Sequence, residues 1–209
     1  LIYHLFIRYK IFLRNRKSFS QFGEDLFINE FFKDKQIGKY VDLGAFHPMR
    51  LNNTYLLYKK GWSGTNIDLN QTSIDMFNFV RKRDVNICSL LSDERGVEKK
   101  AYFQHDWSAG NTTILDEDFK KVLKKEKTMV SEIFDKLITH DFDFLNIDLE
   151  GHDYDVLKTI DLNKYNPKLI CIEILRKSIS GEKIFDYMKR FNFKFIKQCD
   201  VSYFFERLR

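Results

Sequence analysis

The chain has 209 residues, of which 44% are hydrophobic, 31% charged and 16% aromatic, with 9 Gly and 2 Pro. That balance excludes general disorder, a collagen-like repeat and a coiled coil, and the length suffices for a domain with a buried core and a cleft. The formal net charge of +5 is local: Arg8, Lys10, Arg14, Arg16 and Lys17 precede every acid and leave 30 basic against 30 acidic residues in the rest, a neutral body that argues against nucleic acid as the partner.

Residues 1–18 read as a basic amphipathic extension. Leu1 to Leu13 is interrupted by His4, Arg8 and Lys10, too short and too charged to span a bilayer, and it lacks the small-residue cleavage pattern of a secretory signal. It suits peripheral contact with the inner membrane surface, or docking on the domain or on a second copy. Residues 19–209 read as one domain. Ser20 is placed to cap a helix from Gln21 to Lys33, followed by a strand from Tyr40 to Leu43, a helix from Asn53 to Lys60 closed by Gly61, and a strand from Trp62 to Leu69. A helix from Thr72 to Arg83 carries Ile74, Phe77 and Val80 on one side, and Val85 to Leu91 supplies a third strand before the polar turn Ser92 to Gly96.

The middle is less regular. Val97 to Phe103 reads as a strand, Gln104 to Thr113 as a polar loop, Asp116 to Lys127 as a charged stretch and Ser131 to Ile138 as a helix. A variable substrate loop is expected near 104–130, because polar loops on a fixed sheet commonly carry specificity. Periodicity returns with a strand from Phe142 to Leu149, a helix from Tyr154 to Ile160, the apolar strand Leu169 to Leu175 and a helix from Gly181 to Phe191. Phe193 to Lys197 and Val201 to Glu206 close the chain as a strand pair around Gln198, Cys199 and Asp200. The alternation predicts an α/β fold with a mostly parallel sheet and an antiparallel C-terminal strand pair. Cys88, Cys171 and Cys199 are far apart and form no CxxC pair, which suits reduced residues and a cytoplasmic location rather than a zinc site or disulfides.

Chemistry concentrates at strand ends. In YVDLGAFHP, Tyr40 to Pro48, Asp42 lies near the carboxyl end and Gly44 permits close backbone approach to a ligand. Asp68 ends the next strand, where a carboxylate can accept two hydrogen bonds from a ribose, although no GxGxxG fingerprint is present. SQFGED (Ser20 to Asp25), YVDLGAFHP, NNTYLLYKKGWSGTNIDLN (Asn52 to Asn70) and DFLNIDLEGHDYDVL (Asp143 to Leu157) occur in that order. Together they resemble the FkbM-type branch of S-adenosylmethionine-dependent methyltransferases, over residues 18 to 175.

The resemblance implies a class I methyltransferase (Rossmann-like) fold with a seven-stranded sheet, and S-adenosylmethionine as cofactor. It places Asp42, Gly44 and Ala45 beside the methionine and ribose, Asp68 on the ribose hydroxyls where the family commonly has Glu, and Glu24, Asn53 and Thr54 at the cofactor end of the cleft. Ser89 to Ser92 would border the adenine. Asp148 and Glu150, in IDLEGHD, would face the reacting centre. Methyl transfer to a hydroxyl needs alignment and a base; His47, Glu150 and His152 are the candidates, with Asp148 able to orient one of them, and spacing leaves the choice open. Asp148, Glu150, His152 and Asp153 also suit a hard divalent cation, but no diagnostic pattern accompanies them and a metal-free mechanism is the favoured reading. Glu173 interrupts the apolar run ICIEI as a cleft residue or a salt-bridge partner.

The expected function is O-methylation of a sugar hydroxyl in a bacterial surface glycan or its nucleotide-linked or lipid-linked precursor. The alternatives are a lipid or secondary-metabolite acceptor, RNA, or a scaffold that binds the cofactor without catalysis.

Overall fold

The computed structural model describes residues 1–3, 16–104, 111–112, 120–121, 123–175 and 180–208. The contact expected of the N-terminal extension and most of the expected substrate loop lie outside the described residues. The elements are α1 (Glu24–Phe31), β1 (Lys39–Leu43), α2 (Tyr55–Lys59), β2 (Ser63–Asp68), α3 (Gln71–Val80), β3 (Val85–Cys88), β4 (Leu90–Leu91), β5 (Glu98–Phe103), β6 (Asn111–Thr112), β7 (Lys125–Glu132), α4 (Phe134–Leu137), β8 (Phe144–Ile147), α5 (Asp153–Leu157), α6 (Leu162–Tyr165), β9 (Leu169–Glu173), α7 (Ser180–Arg190), β10 (Phe193–Cys199) and β11 (Ser202–Arg207).

Seven strands form one sheet in the order β10-β11-β9-β8-β1-β2-β3. The pairings from β9 through β3 are parallel, whereas β11 runs antiparallel to β9 and to β10. This is the mostly parallel sheet with an antiparallel C-terminal pair that the sequence predicts. Chain order reverses between β1 and β8, and the crevice at such a switch point is where open α/β sheets bind ligands.

Side chains alternate across the sheet. Val41, Leu43, Leu145, Ile147, Ile170 and Ile172 point to one face and pack against Val156 and Leu157 of α5 and Ile184 and Met188 of α7. Tyr40, Phe144, Leu169, Cys171 and Phe204 point to the other and meet Ile28, Phe32, Leu57 and Trp62. On this second face the apolar period breaks toward the carboxyl ends, where Asp42, Asn66, Asp68, Asn146 and Glu173 occupy the corresponding positions. Polar groups from neighbouring strands therefore converge at one end of one face.

Three local expectations change. The residue at the N-cap of α1 is Gly23, with φ 86°, and not Ser20; the Ser20 hydroxyl accepts the first-turn Asp25 N–H at 3.3 Å and donates to the Asp25 carboxylate at 2.8 Å. Asp25 also accepts from the Ser18 hydroxyl and the Phe19 N–H, both at 2.6 Å, so a first-turn carboxylate ties down the preceding segment. The expected strand Val85 to Leu91 breaks at Ser89: β3 stays on the edge of the main sheet, while β4 joins a second sheet in the order β4-β7-β5-β6. Finally, Ser131 and Glu132 belong to β7, and the helix there is only Phe134–Leu137. The half-charged β7 sequence KEKTMVSE hides its strand period because it is largely exposed.

Candidate active site

At the switch point, β1 and β8 approach so closely that only glycine fits. Gly44 has φ 76°, and a Cβ there would lie 1.7 Å from the Asp148 carbonyl oxygen. The approach is fixed by backbone bonds from Gly44 N–H to the Ile67 carbonyl at 2.9 Å and from Asp148 N–H to the Leu43 carbonyl at 3.0 Å. Two compartments open from this crossing and share Gln21, Gly44, Leu51, Asp148 and Glu173 as walls.

The wider compartment has a volume of about 930 Å³ including its open mouth, and is lined also by Asp68, Leu69, Ser89, Leu90, Leu91, Glu150 and His152. Asp68 accepts the Phe46 N–H at 2.8 Å on one carboxylate oxygen and the Asn70 N–H at 2.7 Å on the other. Each oxygen keeps a lone pair for a ligand hydroxyl. Burial pushes the Asp68 carboxyl up to about 6 against the pull of those two donors. Holding Phe46 in place takes a left-handed backbone at φ 54°, an uncommon conformation for a bulky residue.

The smaller compartment, about 440 Å³, is polar. Glu24, Asp42, Ala45, Asn52, Asn53 and Asn146 line it. Asp42 is nearly saturated: it accepts Asn146 at 2.8 Å on one oxygen and Thr54 at 2.9 Å and Asn52 at 3.2 Å on the other. Asn53 donates to the Asn146 side-chain oxygen at 2.9 Å. Glu24 accepts the Phe22 N–H at 2.7 Å and the Ser202 hydroxyl at 3.2 Å. Thr54 stands behind Asp42, buried, rather than on the wall.

Carboxylates crowd the junction. Asp148 and Glu150 are reached by solvent through the cleft while protein surrounds them on their other sides. Burial holds Asp148 well above the usual carboxylate range, with Glu173, Glu150, Asp153 and Asp42 adding to it. Burial and then Asp153 push Glu150 up to about 7, and Glu173 rises to about 8 from burial, Asp153 and Glu150. One Glu173 oxygen is buried without a hydrogen-bond partner among the described residues, a polar atom of the kind that a bound ligand satisfies. Burial lowers His152, which favours its neutral ring.

The structure brings Glu24, Asp42, Gly44, Ala45, Asn53, Asp68, Ser89, Asp148, Glu150 and His152 to one cleft. It does not bring His47, Thr54 or Ser92 to the cleft wall. His47 is buried, and its Nδ1 accepts the Met49 N–H at 3.1 Å, so it braces the turn after Phe46 and does not line the cleft. Ser92 lies beyond the cleft wall, where its hydroxyl accepts Lys99 Nζ at 2.6 Å. Asp153, weighed as a cation ligand, is a turn clamp: it accepts the N–H groups of Leu149 at 2.8 Å and Gly151 at 3.1 Å. Among the described residues no group of three or more His, Cys, Asp or Glu side chains is arranged to hold a metal ion.

Sequence reasoning missed Leu69, which completes an apolar wall with Leu90 and Leu91 of the segment expected to border the adenine. The available signal is positional, apolar residues standing just past the polar ends of two strands. It also missed Arg81, which is fully buried behind the smaller compartment.

The family model described as Methyltransferase FkbM domain matches residues 42–195. Among solved structures, the chain is similar to Methyltransferase FkbM from Methylobacillus flagellatus KT, with TM-score 0.56 and 13% identity over 81% of this chain and 44% of that one. It is also similar to a TehB-like SAM-dependent methyltransferase from Corynebacterium glutamicum, with TM-score 0.52 and 11% identity over 97% of this chain and 95% of that one. Both likenesses are of fold, and the chain spans less than half of the Methylobacillus protein. No curated protein sequence matches significantly.

Proposed function

We propose that this chain, which belongs to the FkbM methyltransferase family, binds S-adenosylmethionine in the two-compartment cleft and transfers its methyl group to a sugar hydroxyl of a bacterial surface glycan or of its nucleotide-linked or lipid-linked precursor. The observation that carries the cofactor is the division of the cleft. The wide half combines apolar Leu69, Leu90 and Leu91 with the paired acceptor lone pairs of Asp68, complementary to a nucleoside. The other half gathers Glu24, Asp148 and the buried, unpartnered oxygen of Glu173, complementary to a cation. A molecule that is a nucleoside at one end and positively charged at the other fits both.

When bound, the cofactor supplies an electrophilic sulfonium methyl. The chain orients the acceptor oxygen in line with it and takes the hydroxyl proton. We assign that proton to Glu150, which lines the wide compartment and, at about 7, is poised between acid and base at neutral pH. His152, on the same wall, is the second candidate, and Asp148 lines the same compartment as a group able to orient one of them.

The sugar acceptor is supported by membership of the FkbM methyltransferase family. No helix among the described residues is long and apolar enough to cross a membrane. Titration with S-adenosylmethionine and with S-adenosylhomocysteine by calorimetry, followed by transfer of labelled methyl to glycan, nucleotide-sugar and lipid-linked fractions, tests the proposal. Micromolar binding and label in a sugar fraction are expected. Label confined to free lipid or a secondary metabolite would refute the sugar, and folded protein without binding would refute the cofactor.

A further inference from the structure

Arg81 follows α3 and is completely buried, yet the cleft does not contain it. Each guanidinium nitrogen is engaged. Nε and one terminal nitrogen both donate to the Pro48 carbonyl, at 2.9 and 2.7 Å. The latter also donates to the Asn52 side-chain oxygen at 2.5 Å, and the other terminal nitrogen donates to the Thr54 hydroxyl at 2.7 Å and reaches the Tyr40 hydroxyl at 3.4 Å. The rings of Phe77, Tyr55 and Tyr58 stand 4.9, 5.4 and 5.5 Å from its centre. Its partners Asn52 and Thr54 are the two residues that hold one oxygen of Asp42, and Asp42 in turn holds Asn146.

A buried ion network of this kind is weak evidence for stability, since apolar residues of equal volume commonly do as well. Its effect here is on shape. The loop it clamps runs from Phe46 to Thr54, contains non-glycine residues in the left-handed region at Phe46 (φ 54°) and Leu51 (φ 47°), and supplies walls to both compartments. Such conformations persist only where surrounding contacts over-determine them. Lysine cannot replace the clamp, because a single ammonium cannot span Pro48, Asn52 and Thr54 in the plane of a guanidinium fork.

We infer that Arg81 is a positioning residue for the cofactor cleft: through Pro48, Asn52 and Thr54 it sets the loop from 46 to 54 and the orientation of Asp42, without touching the ligand. The inference rests on the cofactor reading of the cleft, and the test separates the two. Arg81→Lys and Thr54→Val, alone and combined, are compared with wild type by calorimetric titration of S-adenosylmethionine and by hydrogen exchange of the apo protein. Each single variant is expected to weaken binding by about 10-fold or more. The double variant should be little worse than the weaker single, because both cut the same relay. In apo Arg81→Lys, exchange at the Phe46, Met49 and Thr54 amides should rise at least about 10-fold while the β1 amides stay protected.

Wild-type binding with unchanged affinity in both singles, or fully additive losses, would overturn the positioning role and leave the cofactor reading standing. Absence of wild-type binding would overturn the cofactor reading, and the inference would then be decided by exchange, where unchanged loop protection in folded Arg81→Lys overturns it. Should Arg81→Lys fail to fold, Thr54→Val alone decides in the same way, through affinity and Phe46 exchange.

Discussion

Gly44→Ala isolates the contact on which the cleft is built. Two effects add. The residue has φ 76°, and a side chain in the left-handed region costs about 1–2 kcal/mol. The added carbon would also lie 1.7 Å from the Asp148 carbonyl oxygen, so reaching the 3.0 Å limit of real contacts requires the two backbones to part by about 1.3 Å. That movement strains the bonds joining Gly44 to Ile67 and Asp148 to Leu43, worth about 1 kcal/mol each. The expected destabilisation is roughly 3–4 kcal/mol, a fall in Tm on the order of 10 °C for a chain of this size.

Gly96→Ala supplies the control. Gly96 has the same φ of 76° but nothing within 4 Å of a built Cβ, so it carries the conformational strain without the collision. Scanning calorimetry and cofactor titration on both variants separate the terms. Gly44→Ala should lose about 100-fold or more in affinity, the effect of misplacing binding groups by about 1 Å, and Gly96→Ala should bind as wild type. Equal Tm values for the two variants with unchanged affinity would refute the close-approach argument.

Three further outcomes follow from the carboxylates. Glu150→Gln should lower the methyl-transfer rate by about 100-fold to 10,000-fold while leaving cofactor affinity within about 3-fold; a larger loss in His152→Asn would move the base to His152. With Glu150 raised to about 7, the proposed base role requires its deprotonated form, so wild-type kcat/KM should rise with pH through that value, and the limb should vanish in Glu150→Gln; its persistence would exclude Glu150 as the base. Asp68, raised to about 6 from an ordinary value of 3.8, holds its proton more tightly folded than unfolded. The stability this contributes is full below about pH 4 and is lost as pH rises through about 6, roughly 3 kcal/mol in all. Asp68→Asn should therefore flatten the apo Tm profile between pH 4 and 6 and weaken the cofactor; an unchanged slope would show that Asp68 does not titrate in that window.

Legibility follows length scale. The main-sheet strands and their parallel sense are readable because their signals are local: Leu169 to Glu173 is apolar in every position but the last, and Gly44, Gly61 and Asp68 punctuate strand and helix ends. β7 escapes because an exposed strand of Lys, Glu and Thr has no apolar alternation to display, and its partner β5 lies 22 or more residues earlier. His47 misleads for a related reason. A histidine three residues past a strand-end glycine can turn into a cleft or under a loop, and the Met49 amide that decides the matter is a backbone donor with no sequence signature.

Arg81 was in principle visible. It follows Ile74 and Phe77 at helical spacing, so the apolar period assigns it to the buried face of its helix. A cation on such a face must find acceptors, and a loop containing Pro48, Asn52 and Thr54 supplies most of them, with the buried Asp84 carboxylate 3.8 Å from one terminal nitrogen. The same parity reasoning applies to the sheet: Tyr40 to Asp42, Phe144 to Asn146 and Cys171 to Glu173 each change from an apolar or aromatic residue to a polar one two positions later. In a two-residue period these changes share a face, and the parallel register sets them side by side, with Asp42 opposite Asn146 and Asn146 opposite Cys171. The polar compartment is thus encoded by three strand ends read together.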